Sequence, residues 1–337
     1  MAASPNTDNY VLGKGVIYFD QLINSVYQGE LDLGNAPTFT TNISIEERDH
    51  FSSRSGLKAK DKVIVSQLTP SFTFTLDEIN KENLALLNLA DIKEVNQSLG
   101  AAEKEVVTAY VGKRSKLAHR SVSCWTLPYD GGTVIFVLGE TVTGAGGAAG
   151  VVVSITGDST SGTLVLARTN ATAFVDDEAI TGSGSGAAVV NSATGGTIVA
   201  TNPTILVQDS ADAVTYVAGT DYTILSSSKD DKVGRIKVLD GGSITDKETL
   251  HITYGYLKYD YYEIQAFKNT QIVGRLRFVS DNAAGEDLEI EAWNVSLTSS
   301  GDTPFIGDDW STLAFSVKVL KDETGHPDSP YMNIYVE

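Results

Sequence analysis

Two glycine-rich hexads, Gly144-Ala145-Gly146-Gly147-Ala148-Ala149 and Gly182-Ser183-Gly184-Ser185-Gly186-Ala187, have the spacing of a dinucleotide-binding turn. That chemistry needs a helix next, so that its N-terminal amides meet the pyrophosphate. The chain instead runs on into Val151-Val152-Val153 and Val189-Val190, which favour strand, so the hexads read as turns. Asp176-Asp177-Glu178 and Asp308-Asp309 could offer oxygen ligands to calcium, but neither has the spaced ligands and turn glycine of a binding loop. His119, in KLAHRSVS, has no neighbouring carboxylate to make a catalytic pair and reads as a structural hydrogen-bonding histidine. Cys124 is the single cysteine, which excludes an intramolecular disulfide and a thiolate zinc site and leaves a small buried apolar residue. No Walker lysine, nucleophile elbow or H-E-x-x-H pair is present. The expectation is a protein that is not an enzyme and carries no cofactor or metal.

The charge points the same way. With 25 Lys+Arg against 43 Asp+Glu, the net charge is −18 at pH 7. Holding nucleic acid by its phosphates needs clustered cations, so the surface is expected to repel DNA instead. Two charged segments stand out. In Glu286 to Trp293, strand alternation puts Asp287, Glu289 and Glu291 in one column, while Arg275 and Arg277 lie on the preceding strand and could neutralise part of it across a hairpin. Between Ile45 and Lys62 an acidic start (Glu46, Glu47, Asp49) gives way to a basic end (Arg54, Lys58, Lys60, Lys62). A long loop with separated charges suits head-to-tail contact between identical subunits.

The elements that must carry these residues are strands. In Thr38 to Glu46, Phe39, Ile43 and Ile45 share one face while Thr38, Thr40, Asn42, Ser44 and Glu46 share the other. Phe72, Phe74 and Leu76 alternate with Thr73 and Thr75, and Leu313, Phe315, Val317 and Val319 repeat the pattern. One stretch departs from it: DEINKENLALLNLAD predicts an amphipathic helix over roughly residues 78–90, with Ile79, Leu84, Leu86 and Leu87 in its stripe and Asp77 or Thr75 as cap. The chain start lacks a secretory pattern and no apolar run approaches the roughly 20 residues of a membrane span, so a soluble protein made in a cytoplasm is expected. In that setting the Asn-x-Ser/Thr triplets at Asn42, Asn96, Asn170 and Asn294 are chance matches.

Residues 131–197 form a different region, dense in Gly, Ala, Thr and Val, with Arg168 as its single basic residue. Phe136 to Gly144 (FVLGETVTG) is echoed by Phe174 to Gly182 (FVDDEAITG), a repeat of about 38 residues that predicts two hairpin-like units paired into a small inserted β domain. The expected division is therefore a discontinuous β core of 1–130 and 198–337 around an insertion at 131–197.

In order along the chain, Leu12 to Phe19 (LGKGVIYF), Leu33 to Pro37 (LGNAP), Asp49 to Ser53 (DHFSS), Glu82 to Leu87 (ENLALL), Tyr216 to Tyr222 (YVAGTDY), Arg275 to Gly285 (RLRFVSDNAAG) and Gly307 to Trp310 (GDDW) resemble the major tail tube protein of long-tailed bacteriophages. The resemblance covers most of 10–130 and 200–325 and leaves out the insertion. It implies a mainly β fold: an antiparallel β-sandwich with one flanking α-helix, six copies per ring, and rings stacked into a tube whose inner strands form a β-barrel for DNA passage. On that basis Asp287, Glu289, Glu291, Glu46, Asn42, Thr73 and Thr75 are lumen candidates. Glu46, Glu47, Asp49, Arg54, Lys58, Lys60 and Lys62 are inter-ring contact candidates, and the N-terminal arm and the segment after Lys321 further contact arms. The implied partners are other copies of the chain, a tape measure protein, and tail terminator or tip proteins, in a virion tail assembled in the host bacterial cytoplasm. Genomic DNA would slide through without specific binding along a negative wall. An insertion carried on the outside would obstruct a close-fitting sheath, which points to a non-contractile, siphophage-like tail. Two alternatives stay open at this level: a β-rich surface binding module or adhesin recognising host glycans, and a carbohydrate-active enzyme with paired carboxylates in a cleft.

Overall fold

The computed structural model describes residues 9–54, 56–199, 203–225 and 233–336. It divides into two compact units, Met1–Glu94 with Tyr262–Glu337, and Val95–Tyr261. In chain order the first unit opens with β1 (Gly15–Ile23), β2 (Val26–Tyr27), β3 (Leu31–Asp32), β4 (Thr38–Ser52), β5 (Ala59–Leu76), α1 (Lys81–Leu87) and β6 (Asp91–Gln97). The second unit holds β7 (Gly100–Thr108), β8 (Arg114–Arg120), β9 (Val122–Val134), β10 (Thr141–Gly144), β11 (Ala149–Gly157), β12 (Gly162–Arg168), β13 (Ala179–Gly182), β14 (Ala187–Val190), β15 (Thr197–Val199), β16 (Leu206–Asp209), β17 (Tyr222–Leu225), β18 (Val233–Val238) and β19 (Thr249–Tyr256). The chain returns through β20 (Tyr259–Gln265), which pairs with β6, to β21 (Ile272–Ser280), β22 (Leu288–Ser299), β23 (Leu313–Val319) and β24 (Met332–Val336). The protein is mainly β with antiparallel sheets, as its alternation predicts, and α1 is the one helix among the described residues.

The first unit is one sheet in the order β2-β1-β21-β22-β23-β5-β4, with β3 beside β1 and β24 beside β22. On most strands the alternating apolar residues behave as the sequence predicts: Ile17, Phe19, Phe72, Phe74, Leu76, Leu276, Leu297, Leu313, Phe315 and Val317 are buried in one core, with Phe39 packed partly against it. Ile43 and Ile45, expected on the same packed face as Phe39, are instead exposed. The sheet curls over that core. Phe39 on β4 stacks on Phe278 of β21 with ring centroids 4.7 Å apart, although four strand spacings of a flat sheet would separate them by about 19 Å. The helix is shorter than expected because Asn80, not Asp77 or Thr75, caps it, accepting the Asn83 N–H at 2.7 Å. Leu89, at φ 49, ends it. Ile79 consequently lies outside the helix and stays exposed, while Leu86 and Leu87 join the core.

In the second unit β9, β12, β11, β10, β13 and β14 pair in a ring that closes from β14 back to β9, a six-stranded antiparallel barrel. Its interior is filled by Leu127, Tyr129, Phe136, Val142, Val152, Leu164, Leu166, Phe174, Ile180 and Val190. The barrel cannot be cut at 131, because β9 is its sixth stave. The same strand also pairs with β19 through Ser123 and Val122. The structure therefore places the unit boundaries at Val95 and Tyr261, well outside the 131–197 expected from composition. The remainder of this unit packs β16, β19 and β7 with the β17-β18-β8 sheet around Leu117, Val207, Ile236, Leu250 and Ile252.

Candidate functional site

The most unusual surface is the outer half of the β4–β5 hairpin. The segment expected as a loop, Ile45 to Lys62, is largely strand, running to Ser52 and resuming at Ala59, in continuous register from Thr38↔Thr75 to Ser52↔Ala59 with two bulges. β-Branched residues, Ile43 and Ile45 alternating on one strand and the run Val63-Ile64-Val65 on the other, explain why strand wins over loop. Residues 40–51 and 59–68 are exposed throughout. β23 accompanies β5 only from Ser71 to Leu76, so among the described residues the arm has no strand partner on either edge. Ile43, Ile45, Val63, Ile64 and Val65 therefore sit in solvent on a two-stranded ribbon that buries nothing.

The inter-ring candidates all lie on this arm, but their charges are not separated as the sequence suggests. Folding back places the basic end beside the acidic one: Lys60 pairs with Asp49 at 2.7 Å, and His50 Nδ1 meets Asp61 at 2.6 Å. Glu46 and Glu47 lie opposite Gln67 and Val65, Lys62 opposite His50, and Arg54 and Lys58 at the turn.

The lumen candidates fall into two groups on the sheet face away from the core. Thr38, Thr40 and Asn42 stand beside Thr75, Thr73 and Ser71, with Thr38–Thr75 and Thr40–Thr73 hydroxyl pairs at 2.7 and 2.6 Å. Glu46 continues this face onto the arm. The acidic column is incomplete. Asp287 precedes β22 and accepts the Asn282 N–H at 2.8 Å, fixing the β21–β22 turn. Glu289 and Glu291 do share the strand face, and the hairpin places Arg277 opposite Glu291. Arg277 donates to Glu289 at 3.1 Å and Tyr335 donates to Glu291 at 3.2 Å.

Sequence reasoning missed two members of this network. Glu30 receives both Nε and Nη2 of Arg277, at 2.8 and 2.6 Å, in a forked pair. The guanidinium holds the Glu30 carboxyl below its usual value, and Glu30 in turn raises the arginine. Asp20, nearly fully buried, accepts Arg275 at 2.7 Å and the Gly29 N–H at 2.8 Å, while Arg275 lies 3.8 Å over the Tyr27 ring. Its signal was present: Asp20 alternates with Ile17 and Phe19 and so had to leave the core face. The arginine it meets lies 255 residues away.

Other sequence candidates are occupied structurally. The hexads are turns between β10 and β11 and between β13 and β14, each leading into strand. Glu140 accepts the N–H of Val137 at 2.6 Å and of Gly184 in the second hexad at 2.8 Å. Glu178 accepts the N–H of Val175 at 2.7 Å and of Gly146 in the first at 2.9 Å. Each repeat thus stitches the other's turn, about a pseudo-two-fold axis at the Thr143↔Thr181 pair. A Cβ at Gly182 would lie 2.3 Å from the Glu140 carboxylate, and one at Gly144 2.7 Å from that of Glu178, which is why glycine stands at both. Asp176 accepts the Ser192 N–H. His119, which burial pushes toward the neutral form, stacks on Tyr256 at 3.7 Å and meets the Tyr254 hydroxyl at 3.0 Å; that hydroxyl donates to Glu105, a carboxylate the local sequence does not reveal. Cys124 is buried and its thiol is raised by burial. A cavity of about 650 Å³ beside α1 contains Glu82 and Asp91, but Lys81 and Lys268 pair with them at 3.4 and 2.7 Å. Among the described residues no three His, Cys, Asp or Glu side chains gather as a metal site, and no helix is long and apolar enough to cross a membrane.

Residues 10–161 and 140–335 match a family described as protein of unknown function UCP028589. The chain belongs to that family. Its two matched stretches overlap at residues 140–161, which hold β10 and β11 of the barrel. No curated protein matches the chain. The first unit contributes the remaining expected contact segments unevenly. The segment after Lys321, expected as a contact arm, pairs within its own sheet: β24 lies beside β22 from Leu288↔Val336 to Ala292↔Met332, and Trp293 stacks on His326 at 3.8 Å. Most of the expected N-terminal arm, residues 1–8, lies outside the described residues.

Proposed function

We propose that this family member is a structural subunit of a phage tail tube, polymerising as stacked hexameric rings around a channel for DNA. The observation that carries the reading is the β4–β5 arm. A two-stranded ribbon exposed on both faces and open on both edges is marginal alone in water. Its free N–H and C=O groups and its isoleucines and valines gain partners when other copies cover them, and closure into a ring removes the edges altogether. The curled sheet of the first unit is then one segment of a β-sandwich wall, with α1 flanking it.

The Thr38–Thr40–Asn42 and Thr75–Thr73 face, continuing into Glu289 and Glu291, faces the channel. It offers hydroxyls, amides and carboxylates that outnumber the free cations, so a polyanion passing along it releases no counterions and does not stick. The glycine- and valine-rich stretch 131–197 is too bulky for a DNA-wide channel and belongs on the outer surface of the tube, which suits a non-contractile tail. Tape measure and terminator or tip proteins are the further partners. No catalytic step enters this function.

Negative-stain electron microscopy of the purified protein across concentration tests it. Hollow tubes with a regular axial repeat are the expected result. A strictly monomeric protein up to millimolar concentration overturns the reading and favours the glycan-binding alternative.

A further inference from the structure

Three of the most exposed apolar side chains in the protein lie together in the 300–312 connection between β22 and β23: Phe305 is 69% exposed, Ile306 96% and Trp310 93%. The connection is shaped, not loose: the Ser300 N–H donates to the Ala314 carbonyl at 2.8 Å and Ser311 Oγ to the Pro304 carbonyl at 2.6 Å. Asp302, Asp308 and Asp309 rim it, and none makes an ion pair among the described residues. Large apolar side chains grouped with a charged rim mark a contact surface.

Register fixes where this surface lies. Leu313, at the end of the connection, pairs with Leu76, and Thr38 pairs with Thr75, so the connection emerges at the root of the β4–β5 hairpin. The turn of the arm is at the other end of the same two strands, on the order of 50 Å away at the usual rise per residue. That turn is also apolar and charged, with the opposite sign. Phe51 and Leu57 are 48% and 80% exposed there, and Arg54, Lys58 and Lys62 make no ion pair among the described residues.

We propose that the arm tip of one copy docks on the 300–312 connection of the next copy. The inference rests on the tube reading and names the two surfaces that meet. Arg54 and Lys58 face Asp308, Asp309 and Asp302, while Phe51 and Leu57 cover Phe305, Ile306 and Trp310. A two-fold pairing would set each surface against its like. Contact between opposite ends of one sheet joins copies head to tail and leaves the same two surfaces free at the ends, so it propagates along an axis. Trp310, the largest of the exposed side chains, is the anchor.

The test is charge reversal with rescue, read by sedimentation and microscopy of the full chain. Asp308→Lys with Asp309→Lys should raise the concentration needed for assembly at least tenfold, and Arg54→Glu with Lys58→Glu should do the same. Combining all four should restore assembly to within a few fold of wild type. Every substituted side chain is exposed, so circular dichroism and thermal midpoints should be unchanged in each variant, and Trp310→Ser should weaken assembly without a charge change. If wild type assembles and the acid reversal assembles equally well, or the quadruple variant gives no rescue, the proposed contact is wrong while the tube reading stands. If wild type itself never associates, both fall.

Discussion

The barrel of the second unit and the arm of the first are both antiparallel β structure, built from similar alternating residues, yet they settle their edges in opposite ways. In the barrel every stave has two neighbours, and the reciprocal Glu140 and Glu178 bonds tie the turns as well. In the arm two strands of 15 and 18 residues run out from the sheet with, among the described residues, no third strand beside their outer halves. One satisfies its backbone within the chain. The other does not do so among the described residues, and this is the observation behind the proposal that the protein is a building block.

The comparison can be broken by measuring where stability resides. Phe136→Ala removes a buried ring packed edge-on to Tyr129 at 5.5 Å and should cost about 4 kcal/mol, seen as early loss of hydrogen-exchange protection in residues 122–190. Glu140→Ala leaves two backbone N–H donors unpaired in a buried setting and should cost about 3 kcal/mol; the symmetric Glu178→Ala, at a more exposed carboxylate, should cost less, about 1–2 kcal/mol. Equal losses at the two would show that the pseudo-symmetry extends to energetics.

In the first unit, Arg277→Met removes the pairs to Glu30 and Glu289. Since Glu30 is nearly half exposed, solvent screening limits the loss to about 1 kcal/mol at pH 7. Glu30 titrates lower in the folded chain than the usual 4.5, so its contribution is present above that value and fades as pH falls through the folded one. The difference between wild type and Arg277→Met should therefore shrink on acidification below about pH 4.5 and stay constant between about pH 6 and 8. The smallest effect on stability is expected at the arm. Replacing residues 47–66 with Asn-Gly removes no buried side chain among the described residues and should shift stability by no more than about 0.5 kcal/mol, while abolishing association in sedimentation. A large stability loss there would mean that the arm has support within its own subunit.

Much of this is legible in the residues. Alternation in Phe72 to Leu76 and Leu313 to Val319 identifies strands and the face each buries, because side-chain direction in a strand depends only on parity. In Thr38 to Glu46 it identifies the strand but not its burial, since Ile43 and Ile45 lie beyond the core. The repeat at Phe136 and Phe174 predicts a small β domain, and the valines after each glycine hexad tell against a nucleotide site. Local signals are weaker where two states compete: in Ile45 to Lys62 charge density suggests loop, and only pairing with a second β-branched strand turns it into a ribbon. The apolar stripe locates the helix but over-extends it, since the Asn80 cap is a one-residue decision inside a continuous stripe.

By itself, then, the sequence determined the class of structure, the buried faces of most core strands and the segments rich in turns. All of these come from the chemistry of residues a few positions apart. Only the tertiary structure decided that the barrel borrows β9 for closure, that Glu140 and Glu178 exchange turns, that Arg275 and Arg277 meet Asp20 and Glu30, and that the acidic 300–312 connection and the basic arm tip lie at opposite ends of one sheet. Those outcomes depend on which distant strands pair and in what register. A periodic pattern allows many such pairings, and the chain selects among them only through the free energy of the whole packed core.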